Sequence, residues 1–247
     1  MQTVLLDRVG STNDEAYVRA QAGARLPIVV RAHQQDAGRG RLSRAWTSPP
    51  GGVWMTVASA WTEPIPPCTA LRIALAAWRA VAHELDRPDT LRIKWPNDLL
   101  LDGSKIAGVL CESKPLAPDV RCLLVGVGIN ADFDADQLPS GTRLPATSLR
   151  TALGRPIDAD TLADRLARSI VETLNQRSPT LHQSELALLI EHLAFRDQSI
   201  TLSRLDGTSV TGRLEGLAPD GRAVIRAQSG LAFVSAGEID RAAIAAG

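Results

Sequence analysis

"KWPNDLLLDGSKIAG", Lys94 to Gly108, is the stretch on which the fold turns. Pro96 and Asn97 interrupt a β-prone run, so Asp98 is expected at a sharp bend. Asp102-Gly103 is a hairpin turn signal. The turn predicts that Lys105 returns beside Asp98. Taken alone, a carboxylate facing an ammonium reads as an ion pair at a hairpin mouth.

Upstream, "QQDAGRGRLSRAW" (Gln34–Trp46) reads as neither helix nor buried strand. Gly38 and Gly40 let the backbone turn and approach a ligand closely. Arg39, Arg41 and Arg44 offer planar donor forks that suit phosphate or carboxylate. Trp46 offers a flat ring for stacking, or an anchor for the loop. A solvated basic loop or a nucleic-acid contact is the simpler alternative. Downstream, "VGVGINAD" (Val125–Asp132) contains G-x-G-x-x-A. A dinucleotide fingerprint needs a following helix, and Asp132–Pro139 is acidic and ends in a proline. A strand whose glycines admit a ligand against the backbone fits better.

Working outward, strands are expected over 3–6, 27–32, 52–60, 91–95, 99–101, 105–113 and 121–130. Thr12-x-x-Glu15 fits a capping box that opens a helix towards Ala22. Leu71, Leu75, Trp78, Ala82 and Leu85 recur at helical spacing, predicting a helix over 66–85. Two more helices are expected over 160–176 and 180–193. From Arg196 onward, short strands (199–204, 209–217, 223–227, 232–235) alternate with Asp206-Gly207, Asp220-Gly221 and Ser229-Gly230, the pattern of a small β-barrel. This predicts two domains, 1–195 and 196–247.

The chain has 247 residues, 45% of them hydrophobic, with 27 basic and 27 acidic side chains. Zero net charge disfavours a general nucleic-acid surface. Its three cysteines, Cys68, Cys111 and Cys122, suggest neither a disulfide framework nor a zinc site. No signal peptide or membrane-length apolar run is evident. A cytoplasmic location is expected.

Four stretches together resemble the catalytic core of biotin–protein ligases, in order and rough spacing. They are STN (Ser11–Asn13), QxAGRGRxxRxW (Gln35–Trp46), KWPNDxxxxxxKxxG (Lys94–Gly108) and GxGIN (Gly126–Asn130). The resemblance covers nearly the whole chain. It implies an α+β fold: a mixed, largely antiparallel sheet with helices on one side (class II synthetase/biotin ligase-like), plus a small C-terminal SH3-like β-barrel.

It also implies an activity. Biotin and ATP would give biotinyl-5′-AMP and pyrophosphate, and the biotinyl group would pass to a lysine of a biotin carboxyl carrier domain of a carboxylase. Ser11, Thr12, Asn13 and Gln35 would meet the ureido ring, with Thr12 shared between capping and binding. Arg39, Gly40 and Arg41 would meet the carboxylate and phosphates. Lys105 would bridge the biotin carboxylate and the α-phosphate. Trp46 and Asn130 would place the adenine end, while Trp95 is expected in the core. Asp98 would position or deprotonate the acceptor lysine. Catalysis would thus rest on Lys105, Arg39 and Asp98, with Mg²⁺ on the phosphates and no metal ligands assignable. The loop 36–45 is expected to order over the ligand and shield the mixed anhydride.

Ser43 stands where many relatives carry glycine. Residues 1–10 are too few for a winged helix, so no DNA partner is expected. A monomer or weak homodimer without membrane contact is expected. The alternatives are a lipoate– or octanoate–protein ligase of the same fold, which would lack KWPND, and a biotin-binding regulator without catalysis, which would not need Lys105.

Overall fold

The chain, described here from a computed structural model, is defined over residues 2–140 and 144–241. Seven strands form one sheet: β1 (Gln2–Val9), β2 (Ile28–Gln35), β3 (Val53–Trp61), β4 (Leu91–Lys94), β5 (Asp98–Leu101), β6 (Ser104–Ala117) and β7 (Val120–Ile129). Their spatial order is β1-β2-β3-β7-β6-β5-β4. β1 and β2 run parallel; all other neighbours are antiparallel. The sheet is mixed and largely antiparallel, as expected.

The Asp102-Gly103 turn forms as predicted, with φ of 48° and 80°, the double positive φ of a tight hairpin. One feature of this hairpin was invisible in the sequence. Asp98 pairs with Gly108 and Leu99 with Ala107, but Leu100 then pairs with Lys105, so a bulge leaves Ile106 without an opposite partner. Side chains alternate faces along a strand and opposed residues share a face. The extra residue changes the parity and brings Lys105 onto the face of Asp98 and Leu100. Leu99, Leu101, Ile106 and Ala107 all enter the core on the other face.

On that core face lie α2 (Thr69–Ala82) and α4 (Ala159–Asn175). Leu162, Leu166, Ile170 and Leu174 of α4 are buried, each contributing about 1.5–3 kcal/mol relative to exposure. Asp158 caps α4 by accepting from the backbone N–H groups of Asp160 and Thr161. The expectation of helices on one side only is corrected here. Ala16 and Ala20 of α1 (Thr12–Gln21) pack with Ile28, Val30, Ala58, Cys122 and Leu124 in a second cluster. Val29 belongs to the first cluster and Val30 to the second, so the sheet is covered on both faces.

Helix α2 is shorter than its periodicity suggested, with Pro66 and Pro67 preceding it and Cys68 at its N-cap. α3 (Leu149–Leu153) was not expected, and α5 spans Gln183–Glu191. The C-terminal strands β8 (Ser199–Ser203), β9 (Ser209–Leu217), β10 (Ala223–Ala227), β11 (Gly230–Val234) and β12 (Glu238–Arg241) form a second, antiparallel sheet in the order β11-β10-β9-β8-β12. β12, too short for pattern reading, returns to pair with β8. Ile200, Leu214 and Ile225 of this sheet join the main core. Trp95, fully buried, donates from Nε1 to the Gly221 carbonyl at 3.0 Å, confirming it as a core residue.

Candidate active-site cleft

A cleft of about 470 Å³ opens where the N-terminus of α1, the end of β2, the arginine loop and strands β5, β6 and β7 converge. The residues given a binding or catalytic role from the sequence line it: Ser11, Thr12, Asn13 and Gln35; Arg39, Gly40, Arg41 and Trp46; Asp98, Lys105 and Asn130, whereas Gly38 does not. They come from stretches far apart in the chain.

The polar end of the cleft is a hydrogen-bonded chain. Gln35 Oε1 accepts from the Thr12 backbone N–H (2.9 Å) and lies 3.1 Å from Thr12 Oγ1. Gln35 Nε2 donates to Ser48 Oγ at 2.9 Å. Thr56 Oγ1, fully buried on β3, lies 2.9 Å from Thr12 Oγ1 and 2.5 Å from Asn13 Oδ1. Asn13 Nδ2 donates to Glu112 Oε2 at 2.6 Å. The expected capping box at Thr12 is not formed. Ser11 is the N-cap residue and makes no side-chain capping bond, because Thr12 lies inside the helix and its hydroxyl turns to Gln35 and Thr56.

The arginine loop is folded onto its surroundings. Arg39 pairs in bidentate fashion with Asp14 of α1 (2.7 and 2.8 Å), which holds the Asp14 carboxyl below its ordinary pKa. Lys114 Nζ reaches the same carboxylate at 3.3 Å. Arg41 donates to Asn97 Oδ1 and to the Gly237 carbonyl, each at 3.2 Å. Burial draws its pKa down from the usual guanidinium value. Arg44 pairs with Glu238 at 2.6 Å. Leu42 and Ser43 both adopt positive φ, 56° and 57°. A left-handed turn at Ser43 is a physical reason for glycine there, since a side chain costs about 1–2 kcal/mol in that conformation.

At the centre, Lys105 Nζ lies 2.8 Å from Asp98 Oδ1. The contact is ionic and not aligned as a linear hydrogen bond. The same ammonium stands 5.0 Å from the centre of the Trp46 ring, within cation–π range. Gly126 and Gly128 of the GxGIN strand line the cleft, and they have a second role beside the one expected. A Cβ at Gly128 would meet Trp46 Nε1 at 2.6 Å, and one at Gly126 would meet Asn13 Oδ1 at 2.5 Å. They make room for side chains of the cleft itself. Asn130 donates from Nδ2 to the Thr147 carbonyl at 2.9 Å, while its buried Oδ1 has no partner among the described residues.

Several contributors were missed. Asn97 orients Arg41, its own Nδ2 being committed to the Val109 carbonyl at 2.7 Å. It stood within the quoted motif and could have been named. Thr56, Glu112 and Asp14 carried no local signal. Among the described residues, no cluster of three His, Cys, Asp or Glu side chains is arranged for a metal. No described helix is long and apolar enough to cross a membrane.

Comparison with known proteins fits this geometry. The chain is 36% identical over 155 residues to the bifunctional ligase/repressor BirA of Bacillus spizizenii, covering 62% of this chain and 47% of that protein. It thus spans about half the length of that relative. It is 29% identical over 239 residues to the biotin--[acetyl-CoA-carboxylase] ligase of Paracoccus denitrificans, covering 95% and 98% of the two chains. The fold matches that of the biotin protein ligase from Aquifex aeolicus in complex with biotin and ATP, with a TM-score of 0.81, 25% identity and 97% of each chain covered. Residues 5–130 match the Biotin/lipoate A/B protein ligase family, and the chain belongs to that family.

Proposed function

We propose that the chain is an ATP-dependent biotin–protein ligase. It condenses biotin with ATP to biotinyl-5′-AMP and pyrophosphate, then passes the biotinyl group to a lysine of a biotin carboxyl carrier domain. The observation that carries this reading is the Lys105–Asp98 contact at 2.8 Å in a cleft also lined by Arg39 and Arg41. Cations gathered in one cleft are what a reaction between two anions needs.

In the first step a carboxylate oxygen of biotin attacks the α-phosphorus, and the bond to pyrophosphate breaks. Lys105 turns from Asp98 towards both anions. Arg39 and Arg41 spread the phosphate charge. Magnesium supplies charge neutralisation on ATP when bound, and no cluster of three ligands among the described residues assigns its site. Thr12 and Gln35 meet the ureido ring. Trp46 and Asn130, both lining the cleft, receive the adenine end. In the second step the acceptor amine attacks the mixed anhydride, AMP leaves, and Asp98, relieved of Lys105, takes the amine proton.

Residues 196–247 are read as a separate small domain that steadies the arginine loop. A cytoplasmic monomer or weak homodimer completes the reading. The test is ATP–pyrophosphate exchange with biotin, with lipoate and with neither, in the intact chain and in Lys105→Ala. Biotin-dependent exchange that collapses in the variant supports the reading. Exchange that responds to lipoate instead, or biotin binding without exchange, overturns it.

A further inference from the structure

Glu112 does not line the cleft, yet it ends the hydrogen-bonded chain that does. A carboxylate can only accept, so Glu112 fixes the Asn13 amide with Nδ2 towards itself and Oδ1 towards Thr56. The packing leaves Asn13 no other place, because the bare Cα of Gly126 lies against its Oδ1. Thr56 has one hydroxyl proton and two oxygens in reach. Asn13 Oδ1 is the nearer and can only accept, so the proton goes there. Thr12 also has one proton, and its oxygen receives none from Thr56. That proton goes to Thr56 or to Gln35 Oε1, which already accepts from the Thr12 N–H. In both cases it points into the protein, and a Thr12 lone pair is left for the cleft.

We infer that Glu112 is a positioning residue for ligand specificity: acting through Asn13 and Thr56, it keeps the Thr12 hydroxyl an acceptor that selects a ligand N–H. The inference rests on the biotin reading above, in which that N–H belongs to the ureido ring. Replacing the carboxylate by an amide of the same shape, as in Glu112→Gln, removes the directionality. The new amide can donate to Asn13 Oδ1; Asn13 Nδ2 then donates to Thr56, and the Thr56 proton turns to Thr12. Thr12 then loses Thr56 as a destination for its own proton, which is left with Gln35 Oε1, already accepting from the Thr12 N–H, or with the cleft, where it meets the ligand N–H.

The experiment compares biotin-dependent ATP–pyrophosphate exchange in the intact chain, Glu112→Gln and Thr56→Val, with biotin and with biotin methylated on a ureido nitrogen as substrates. Thermal melting of each variant runs in parallel. The expected result is a KM for biotin raised about tenfold or more in both variants. The kcat at saturating biotin should stay within about twofold, and the preference for biotin over the methylated form should shrink. Thr56→Val keeps the test open should Glu112→Gln fold poorly. Unchanged KM and unchanged preference, or a loss confined to kcat, would overturn the inference. Absence of biotin-dependent exchange in the intact chain would instead overturn the biotin reading itself.

Discussion

The indole of Trp46 lies directly over Gly128, so close that a Cβ there would sit 2.6 Å from Nε1 and 2.8 Å from Cε2. The ring also meets Trp54, edge-on at 6.5 Å between centroids, and Trp54 is fully buried. It has little room to yield. Gly128→Ala is therefore expected to lower stability by about 1–3 kcal/mol through overpacking. A double-mutant cycle checks the cause. In a Trp46→Ala background the same substitution should cost little in urea unfolding. An undiminished cost would mean that the strain arises elsewhere.

The Arg72–Glu185 pair ties α2 to α5 inside the protein, with side-chain exposures of 5% and 11%. Arg72 also donates to the carbonyls of Ser178 and Thr180, and Glu185 accepts from the His182 backbone N–H at 2.8 Å. Arg72→Met would leave a buried carboxylate and two carbonyls without their donor. The expected loss is about 3–5 kcal/mol in denaturant titration, with the cleft residues untouched. A loss below about 1 kcal/mol would show that water reaches the pair.

What was legible in the sequence was local. The Asp102-Gly103 turn, the bend at Pro96-Asn97 and the apolar strands around them are set by neighbours a few residues apart. They returned the hairpin and its Asp98–Lys105 contact. The bulge that gives Lys105 its facing was not legible, because alternate registers of a leucine-rich strand look equivalent in one dimension. Glu112 and Thr56 escaped notice for a related reason: their partner Asn13 lies 99 and 43 residues away. The glycines of GxGIN were seen, but the objects they accommodate were not. Trp46 and Asn13 reach them only after the sheet has assembled.

Glu238 should govern how tightly the arginine loop is held. Its partner Arg44 is 59% exposed, so the pair contributes only about 0–1 kcal/mol to folding. Glu238→Ala should leave the melting temperature nearly unchanged while trypsin cleaves faster after Arg44. Equal cleavage rates would dismiss the contact as incidental. Acidification offers a second arm. Arg44 holds the Glu238 carboxyl below its ordinary value of 4.5. The pairing is therefore complete above that pH and is lost as pH falls through the lowered value. Faster cleavage by an acid-tolerant protease below about pH 4, in the intact chain and not in Glu238→Ala, is the expected pattern.

In the proposed reaction, Asp98 is expected to act in one half-reaction and not in the other. Its carboxylate holds Lys105 at 2.8 Å, yet in the proposed adenylation step Lys105 must leave it for the biotin carboxylate and the α-phosphate. Asp98→Asn keeps the shape and removes the charge. Lys105 then reaches the anions without giving up an ion pair, so ATP–pyrophosphate exchange should be retained. Transfer is different, because the acceptor ammonium must lose a proton beside the anhydride, and an amide cannot take it. Transfer to a carrier domain should fall by about 10²–10⁴-fold. The fall should be partly recovered as pH rises and more of the acceptor lysine is neutral in solution. Single-turnover transfer from preformed biotinyl-5′-AMP isolates that step. A transfer rate equal to that of the intact chain would remove the base role from Asp98 and leave it as the tether of Lys105. A matching loss in exchange would instead place its charge in the adenylation step.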